Sequence, residues 1–453
     1  MKFFIKEEES DIKEIFKRIK KRDFSGNSGQ AVKNSSYQLA QNIIIKFGAF
    51  LFTILVARML MPEMMGLYSL ALSTIMMFSV FSDLGIETAL FAFVAKLIGK
   101  GKNAKAKGYV EVLLKWKIYL LILSSGILLF SSYFLSEHYY QKPIFYVLLV
   151  GVIYIPIVGL LGFLTGVFSS VGDFKHPLIK EIIFQSLRLS FIPLAIFLLL
   201  KTDFSKKIIL VSIFGLLVLC YLIALLILMI IAKKKISFLS VKGKDLNVKE
   251  KKKLKKFILP VSAVILSGFF FGYVDTIMLG RFVNAQFIAY YSIAFALVNS
   301  AVAILTFAST PLFPIFAKIS GLSLEKMFKK ARNLIALISI FAGIFTYFMA
   351  YYIIKLAYGS AYLTATPLLK WFALLVIILP IISIYIAYFL SQKRTVIFAK
   401  LVITSTIINI ILNIIFIIYG LRFGMFEAVL GACFATIISR FVLFGGLVWF
   451  RKK

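Results

Sequence analysis

Four ionisable side chains stand deep inside long apolar runs of this sequence: the bases Lys46, Arg188 and Arg440, and the acid Asp275. A charge at the centre of a membrane helix costs roughly 2.5–3.5 kcal/mol. Such residues therefore face a wet cavity, a partner group or a substrate. Three bases converging on one cavity would supply positive potential where little water screens it. For Arg188 and Arg440 a structural ion pair or snorkelling competes with that reading. Lys46 lies about 15 Å into its helix at ~1.5 Å per residue, which favours a part in binding. Asp275 has three options: to pair with a cavity base, to carry a coupling cation, or to neutralise a nearby base such as Arg281. Glu181 and Glu427 fall near the ends of apolar runs. Asp83 and Glu87 fall at the end of the second run, and a longer run would bury both. Lys115, Lys117 and Lys370 are placed where they can snorkel.

Other chemistry is poorly provided for. His138 and His176 lie alone in different loops, and Cys220 and Cys433 each sit within an apolar run, so neither pair suggests a metal site or a disulfide. There is no Gly-x4-Gly-Lys-Ser/Thr phosphate loop and no Asp-x-Asp pair in a basic loop. The expectation is a protein that is not an enzyme and uses no cofactor.

The elements that must position these residues are membrane helices. Of 453 residues, 61% are hydrophobic and 16% charged, with mean hydropathy +0.96. A soluble domain is nearer 45–50% apolar and 25% charged. Apolar runs of about 20 residues, enough to cross a ~30 Å hydrocarbon core, recur from end to end. Twelve spans are predicted, near 36–58, 66–84, 116–136, 144–170, 178–200, 208–232, 257–279, 286–308, 333–354, 366–390, 397–418 and 425–449. The fold class expected is an all-α polytopic membrane protein of about twelve transmembrane helices.

The net charge of +33 resides mostly in loops between spans, where it sets topology rather than binding nucleic acid. The tail before the first span, the loops after even-numbered spans and the final residues carry 38 Lys and Arg, whereas the opposite loops carry eight. This bias predicts a cell-membrane protein with both termini cytoplasmic. Residues 1–35 read as a cytoplasmic basic amphipathic segment, with Ile12, Ile15, Phe16 and Ile19 on one face among Lys13, Lys17 and Arg18. Residues 36–232 form an N-lobe of six helices, 233–256 a Lys-rich cytoplasmic linker and 257–453 a C-lobe of six helices. The linker's eleven lysines serve either as a topology determinant or as a contact for anionic membrane lipids.

The two lobes repeat. A shift of 223 residues superposes Thr53-Ile54 on Thr276-Ile277, Arg58 on Arg281, Tyr68-Ser69 on Tyr291-Ser292 and Ala71 on Ala294. A shift of 222 brings Thr88, Ala95, Lys96 and Gly99 onto Thr310, Ala317, Lys318 and Gly321. Six spans separate the copies, so both run in the same direction through the membrane. Parallel repeats of this kind surround a cavity on their shared axis.

The motif Arg58-x3-Pro62-x3-Gly66-x-Tyr68-Ser-Leu-Ala71, followed by Phe81-Ser-Asp83-Leu-Gly85, resembles the opening of polysaccharide-biosynthesis membrane proteins, the oligosaccharide-lipid flippases. Asp275-x3-Leu279-Gly280 and Ala289-Tyr290 resemble the start of their second half. That family shares a superfamily with multidrug-and-toxin extruders and lipid II flippases. The resemblance implies two six-helix lobes, alternating access and a cationic cavity for a polyprenyl-pyrophosphate-linked oligosaccharide bound for cell-surface glycan assembly. It implies glycosyltransferases as partners and gives Arg58, Pro62, Gly66, Tyr68 and Asp83 an architectural rather than a ligand role. Two alternatives stay open: a cation-coupled multidrug-type exporter, which needs buried carboxylates, and a transport-inactive scaffold for glycosyltransferases.

Overall fold

The computed structural model describes residues 26–202, 204–307 and 312–452; the amphipathic stretch from Ile12 to Ile19 expected in the N-terminal segment lies outside them. The described chain is helical with no strand, because a backbone in hydrocarbon must satisfy its own hydrogen bonds. The long helices are α1 (Gly26–Val80), α2 (Asn103–Tyr133), α3 (Phe145–Ser170), α4 (Lys175–Leu200), α5 (Lys206–Lys235) and α6 (Val248–Phe282). They continue with α7 (Ala285–Thr306), α8 (Gly321–Tyr358), α9 (Thr366–Ser391), α10 (Thr395–Gly420) and α11 (Met425–Lys452).

Helix α1 is two spans folded at Met61, whose φ of 61° and ψ of 166° are non-helical. This region is costly for any residue but glycine, and Pro62 follows, which cannot continue a helix interior without strain. The first arm tracks α4, with Gly48 against Gln185 and Phe52 beneath Arg188. The second tracks α3: Ile75 meets Gly151, Ser82 meets Gly159, and Glu87 meets Gly162. Since a four-residue turn reverses the chain between α3 and α4, the two arms run in opposite directions. Helix α6 bends by 46° between Val248–Phe270 and Gly272–Phe282. With the arms of α1 counted separately and the bent α6 counted once, the described residues form twelve membrane-length spans.

The second span differs from its sequence reading. The chain breaks over 81–85, with Leu84 at φ 42° and Gly85 at φ 89°, and a helical run then continues over 86–98. Asp83 and Glu87 thus belong to a broken helix inside the lobe instead of marking its end. The Lys-rich stretch is helical at both ends, because α5 carries through Lys235 and α6 starts at Val248 behind an Asn247–Glu250 capping box. Between them the backbone N–H of Lys244 donates to the Ala104 carbonyl at 2.9 Å. Phe238, Leu246 and Leu254 are buried there, while all eleven lysines are exposed. We call this the basic end of the molecule.

Two apolar cores result. One fills the basic end of the first lobe around Val94, Tyr109, Phe168 and Leu254. The other runs continuously through both lobes and includes Val56, Leu60 and Leu70 of α1 with Leu279 of α6, Ile288 of α7 and Val283 between them. The shared core therefore joins the lobes at the end opposite the lysines.

Candidate functional site

In the second lobe Asp275 is 3% exposed and is fully engaged by uncharged donors. Tyr291 Oη donates to Oδ2 at 2.6 Å, Thr436 Oγ1 donates to Oδ2 at 2.5 Å, and Asn413 Nδ2 donates to Oδ1 at 2.6 Å. Arg440, one helical turn beyond Thr436 on α11, is close enough for its charge to act on the carboxylate. A second ring backs the first: Asn409 Nδ2 donates to Thr436 Oγ1 and Ser439 Oγ, both at 3.3 Å. The side-chain carbonyl oxygens of Asn409 and Asn413 are buried and accept no hydrogen bond among the described residues. Asp275 is thus held in a buried ring of neutral donors with one base, Arg440, near it.

The first lobe lines an open cavity of about 620 Å³ between α1, the helical run after the 81–85 break, α3, α4 and α5. Its charged wall is a chain of contacts. Arg188 Nη2 donates to Gln185 Oε1 at 2.7 Å, Gln185 Nε2 to Glu181 Oε1 at 2.7 Å, and Lys180 Nζ to Glu181 Oε2 at 2.9 Å. The guanidinium of Arg188 also lies 4.4 Å from the Phe52 ring centroid and 5.2 Å from that of Phe184, a cation–π arrangement that offsets part of its desolvation. Behind this wall Lys117, 1% exposed, reaches Asp83 at 3.1 Å and Glu87 at 3.3 Å. Lys117 is thus no snorkelling residue.

Lys46 occupies a third place. It lines a groove of about 590 Å³ between the first arm of α1 and the helices α7, α8 and α9, with Phe47, Phe50, Ile304, Phe345 and Ile353 among its apolar walls. No ion pair reaches Lys46 among the described residues. Helix α1 divides its faces: Ile45 and Ala49 border the first-lobe cavity, whereas Lys46 and Phe50 border the groove.

The repeat has a structural counterpart at the end opposite the lysines. Arg58 donates from Nε to the Ala357 carbonyl at 2.7 Å and from Nη2 to the Leu356 carbonyl, at the last turn of α8. Its counterpart Arg281 donates from Nη1 to the carbonyls of Tyr139 at 2.8 Å and His138 at 3.1 Å, at the end of the π-helical turn Phe134–Tyr140 that extends α2. The residue before each arginine is engaged too. Tyr362 Oη donates to the Ala57 carbonyl at 2.7 Å, and Lys142 Nζ donates to the Gly280 carbonyl at 2.6 Å. Each lobe therefore clasps the other through the same device. Lys142 sits in the loop after that turn, and burial together with the charge of Arg281 pushes its pKa down to about 8.

The structure places the four sequence-derived residues in three settings: Arg440 beside Asp275, Arg188 in the first-lobe cavity and Lys46 in the groove between lobes. Arg281 engages backbone carbonyls, so it is not the partner of Asp275. Sequence reading set Lys117 aside as a snorkelling residue and passed over Gln185, Asn409, Asn413 and Thr436. A signal existed for the last three: Thr406, Asn409 and Asn413 form one stripe of α10, and Thr436, Ser439 and Arg440 one stripe of α11, each at helical spacing within apolar sequence.

Comparison with known proteins agrees with this architecture. The profile described as polysaccharide biosynthesis protein matches residues 31–320. No curated protein sequence matches. Among solved structures, the chain is similar to an inward-facing multidrug resistance MATE family transporter of the MOP superfamily, with a TM-score of 0.66 at 15% identity, covering 92% of this chain and 94% of that one. It is similar to the lipid II flippase MurJ in an inward closed conformation, with a TM-score of 0.67 at 17% identity over 91% of this chain and 87% of that one. An outward-facing MATE transporter gives 0.60 at 14% identity, covering 95% and 96%.

Proposed function

The chain belongs to the polysaccharide biosynthesis protein family and has the fold of MOP-superfamily transporters, and on that premise we propose that it is a flippase for polyprenyl-pyrophosphate-linked oligosaccharides. The observation that carries this reading is Lys46: a base with no ion-pair partner among the described residues, set in an otherwise apolar groove between the lobes. A lipid pyrophosphate needs this combination, an accessible positive charge beside a surface that accepts a prenyl chain, and Lys46 is exposed on the groove. Arg188, in a wall where acids balance bases, and Arg440, beside Asp275, are assigned smaller parts in holding the anion than Lys46. The basic end faces the cytoplasm, where glycosyltransferases would complete the substrate, and its exposed lysines lie against anionic headgroups. The clasp at the opposite end closes the outer side. Its release, with closure of the basic end, would carry the sugar to the outer leaflet.

Asp275 is the coupling element in this scheme. A proton or cation taken up at its carboxylate would compete with the donors from Tyr291, Asn413 and Thr436 and so tie its binding to the position of the bent α6.

The test is transport of a polyprenyl-pyrophosphate-linked N-acetylglucosamine in proteoliposomes. Lys46→Ala should abolish most of the rate, and Lys46→Arg should keep part of it, since charge matters more there than shape. Arg188→Ala and Arg440→Ala should cost less. If Lys46→Ala transports at the wild-type rate while Asp275→Asn is inactive, a cation-coupled exporter replaces the flippase. A transport-inactive scaffold would show no movement in any form.

A further inference from the structure

We propose that the first-lobe cavity receives the sugar portion of the substrate and is matched to an uncharged sugar. This rests on the flippase reading and assigns the cavity a part within it. The argument begins with charge. Lys117, Lys180 and Arg188 stand in or behind the wall, against Asp83, Glu87 and Glu181. Three bases meet three acids, and the contacts interleave them. A site for a diphosphate would carry excess positive charge, and a site for an organic cation excess negative charge. A balanced array of acids and bases offers neither, yet it presents strong donors and acceptors side by side. That is what the vicinal hydroxyls of a sugar require, each of which donates one hydrogen bond and accepts others.

The remaining lining fits the same ligand. Phe91, 55% exposed, gives a flat apolar face for the C–H side of a pyranose ring, while the stacked pair Phe184 and Tyr221, with centroids 4.0 Å apart, is part of the same lining. Thr88 is exposed on the same wall. Arg188 keeps its buried Nε without a partner among the described residues. Room for the polar groups comes from glycine: a Cβ at Gly162 would lie 2.3 Å from Glu87 Oε1, and one at Gly48 would lie 2.4 Å from Gln185 Oε1. The break at 81–85 turns Glu87, Thr88 and Phe91 towards the cavity that α3 and α4 line. A volume of about 620 Å³ falls within the roughly 300–1,000 Å³ of small-molecule sites. Because α1 borders both spaces, a pyrophosphate at Lys46 and a sugar in the cavity would lie on adjacent faces of one helix.

The experiment compares three lipids in proteoliposomes: polyprenyl pyrophosphate without sugar, with N-acetylglucosamine, and with glucuronic acid. The wild-type protein should move the N-acetylglucosamine form faster than either of the others. The pair Thr88→Val and Phe91→Ala, which touches no ion pair, should lower the ratio of the N-acetylglucosamine rate to the sugar-free rate by about tenfold, the worth of a lost hydrogen bond together with a lost stacking contact. Lys46→Ala should lower all three rates and leave that ratio in place. The sugar-free rate is measured in the same variant, so a folding defect lowers both terms and leaves the ratio unchanged. An unchanged ratio in the Thr88/Phe91 variant overturns the sugar site while the flippase stands. Faster movement of the glucuronic acid form overturns the match to an uncharged sugar. No movement of any lipid by the wild type overturns the flippase reading and this one with it.

Discussion

The reciprocal clasp makes a quantitative demand on the resting conformation. Arg58 and Arg281 each donate two hydrogen bonds across the lobe boundary to backbone carbonyls. Hydrogen bonds to a charged group are worth ~1.5–3 kcal/mol when water is excluded. Both arginines are exposed, so water compensates part of that, and about 1 kcal/mol per arginine is the appropriate figure, roughly fivefold in an equilibrium constant. Removing both should multiply the open population by about thirtyfold if the two act independently. The readout is a cysteine at Leu70, which is fully buried and sits against Gly280 of the other lobe, in a chain whose Cys220 and Cys433 are changed to alanine. A membrane-impermeant maleimide is applied from the side of Arg58. When opening and closing are fast relative to labelling, the rate tracks the open population. Arg58→Ala and Arg281→Ala should each raise it about fivefold and the double variant about thirtyfold, with Arg→Lys in between. A double variant that labels within twofold of its parent would refute the clasp as a determinant of closure.

Three further outcomes follow from the same geometry. Lys142 has a pKa of about 8 in the clasp against an ordinary 10.5, and Arg281 is the charged group that acts on it; an opened clasp, returning Lys142 to water, binds more protons between those values. Closure should therefore strengthen as pH rises from 8 towards 10.5, seen as slower labelling at Leu70→Cys, and Lys142→Met should remove that dependence. Gly66→Ala would set a methyl carbon 1.7 Å from the Ala285 carbonyl oxygen, whereas Gly126→Ala meets no atom within 4 Å. The first should raise labelling more than either arginine variant, and the second should leave it alone. For topology, a cysteine replacing Asp245 should react only from the cytoplasm and one replacing His138 only from outside, and reaction of both from one side would invalidate the orientation.

The architecture was readable from sequence because its signals are long. Twelve apolar runs, a charge bias and a 223-residue repeat each sum over many residues, and the structure supplies twelve spans in the MOP fold. The polar sites were less readable, for a local reason. Lys117 looks like a span-end residue because its apolar run starts near 116, but α2 begins at Asn103. Lys117 is therefore about 21 Å along the helix at ~1.5 Å per residue, where it meets Asp83 and Glu87. Hydropathy locates what lies in lipid, and it does not say how far a helix extends beyond. The break at 81–85 was hidden similarly, since its residues are apolar enough to pass for a terminus. The partners of Arg58 and Arg281 are carbonyl oxygens, which no side-chain pattern can announce.

The repeat also separates two kinds of residue that a single-lobe view would merge. Under the 223-residue shift the clasp is kept: Arg58 matches Arg281, and the carbonyls of Ala57 and Gly280 each accept one bond from the other lobe. The interior positions are not kept. Lys46 corresponds to Phe269, and Phe52, which lies under Arg188, corresponds to Asp275, which is acted on by Arg440. A gate that opens by rotating one lobe against the other needs matched contacts on both sides of the axis, because an unmatched latch would release one side first. A binding site for an asymmetric lipid has no such need: it wants a base where the pyrophosphate lies and apolar surface where the chain lies. Under the proposed function, Asp275 falls to the lobe that does not carry Lys46, where it would not neutralise the charge assigned to holding the substrate. On this division, exchanging Lys46 with its counterpart, as Lys46→Phe together with Phe269→Lys, should leave the rate of Leu70→Cys labelling intact while abolishing transport. Altered labelling in that exchange would mean that gate and site are not separable.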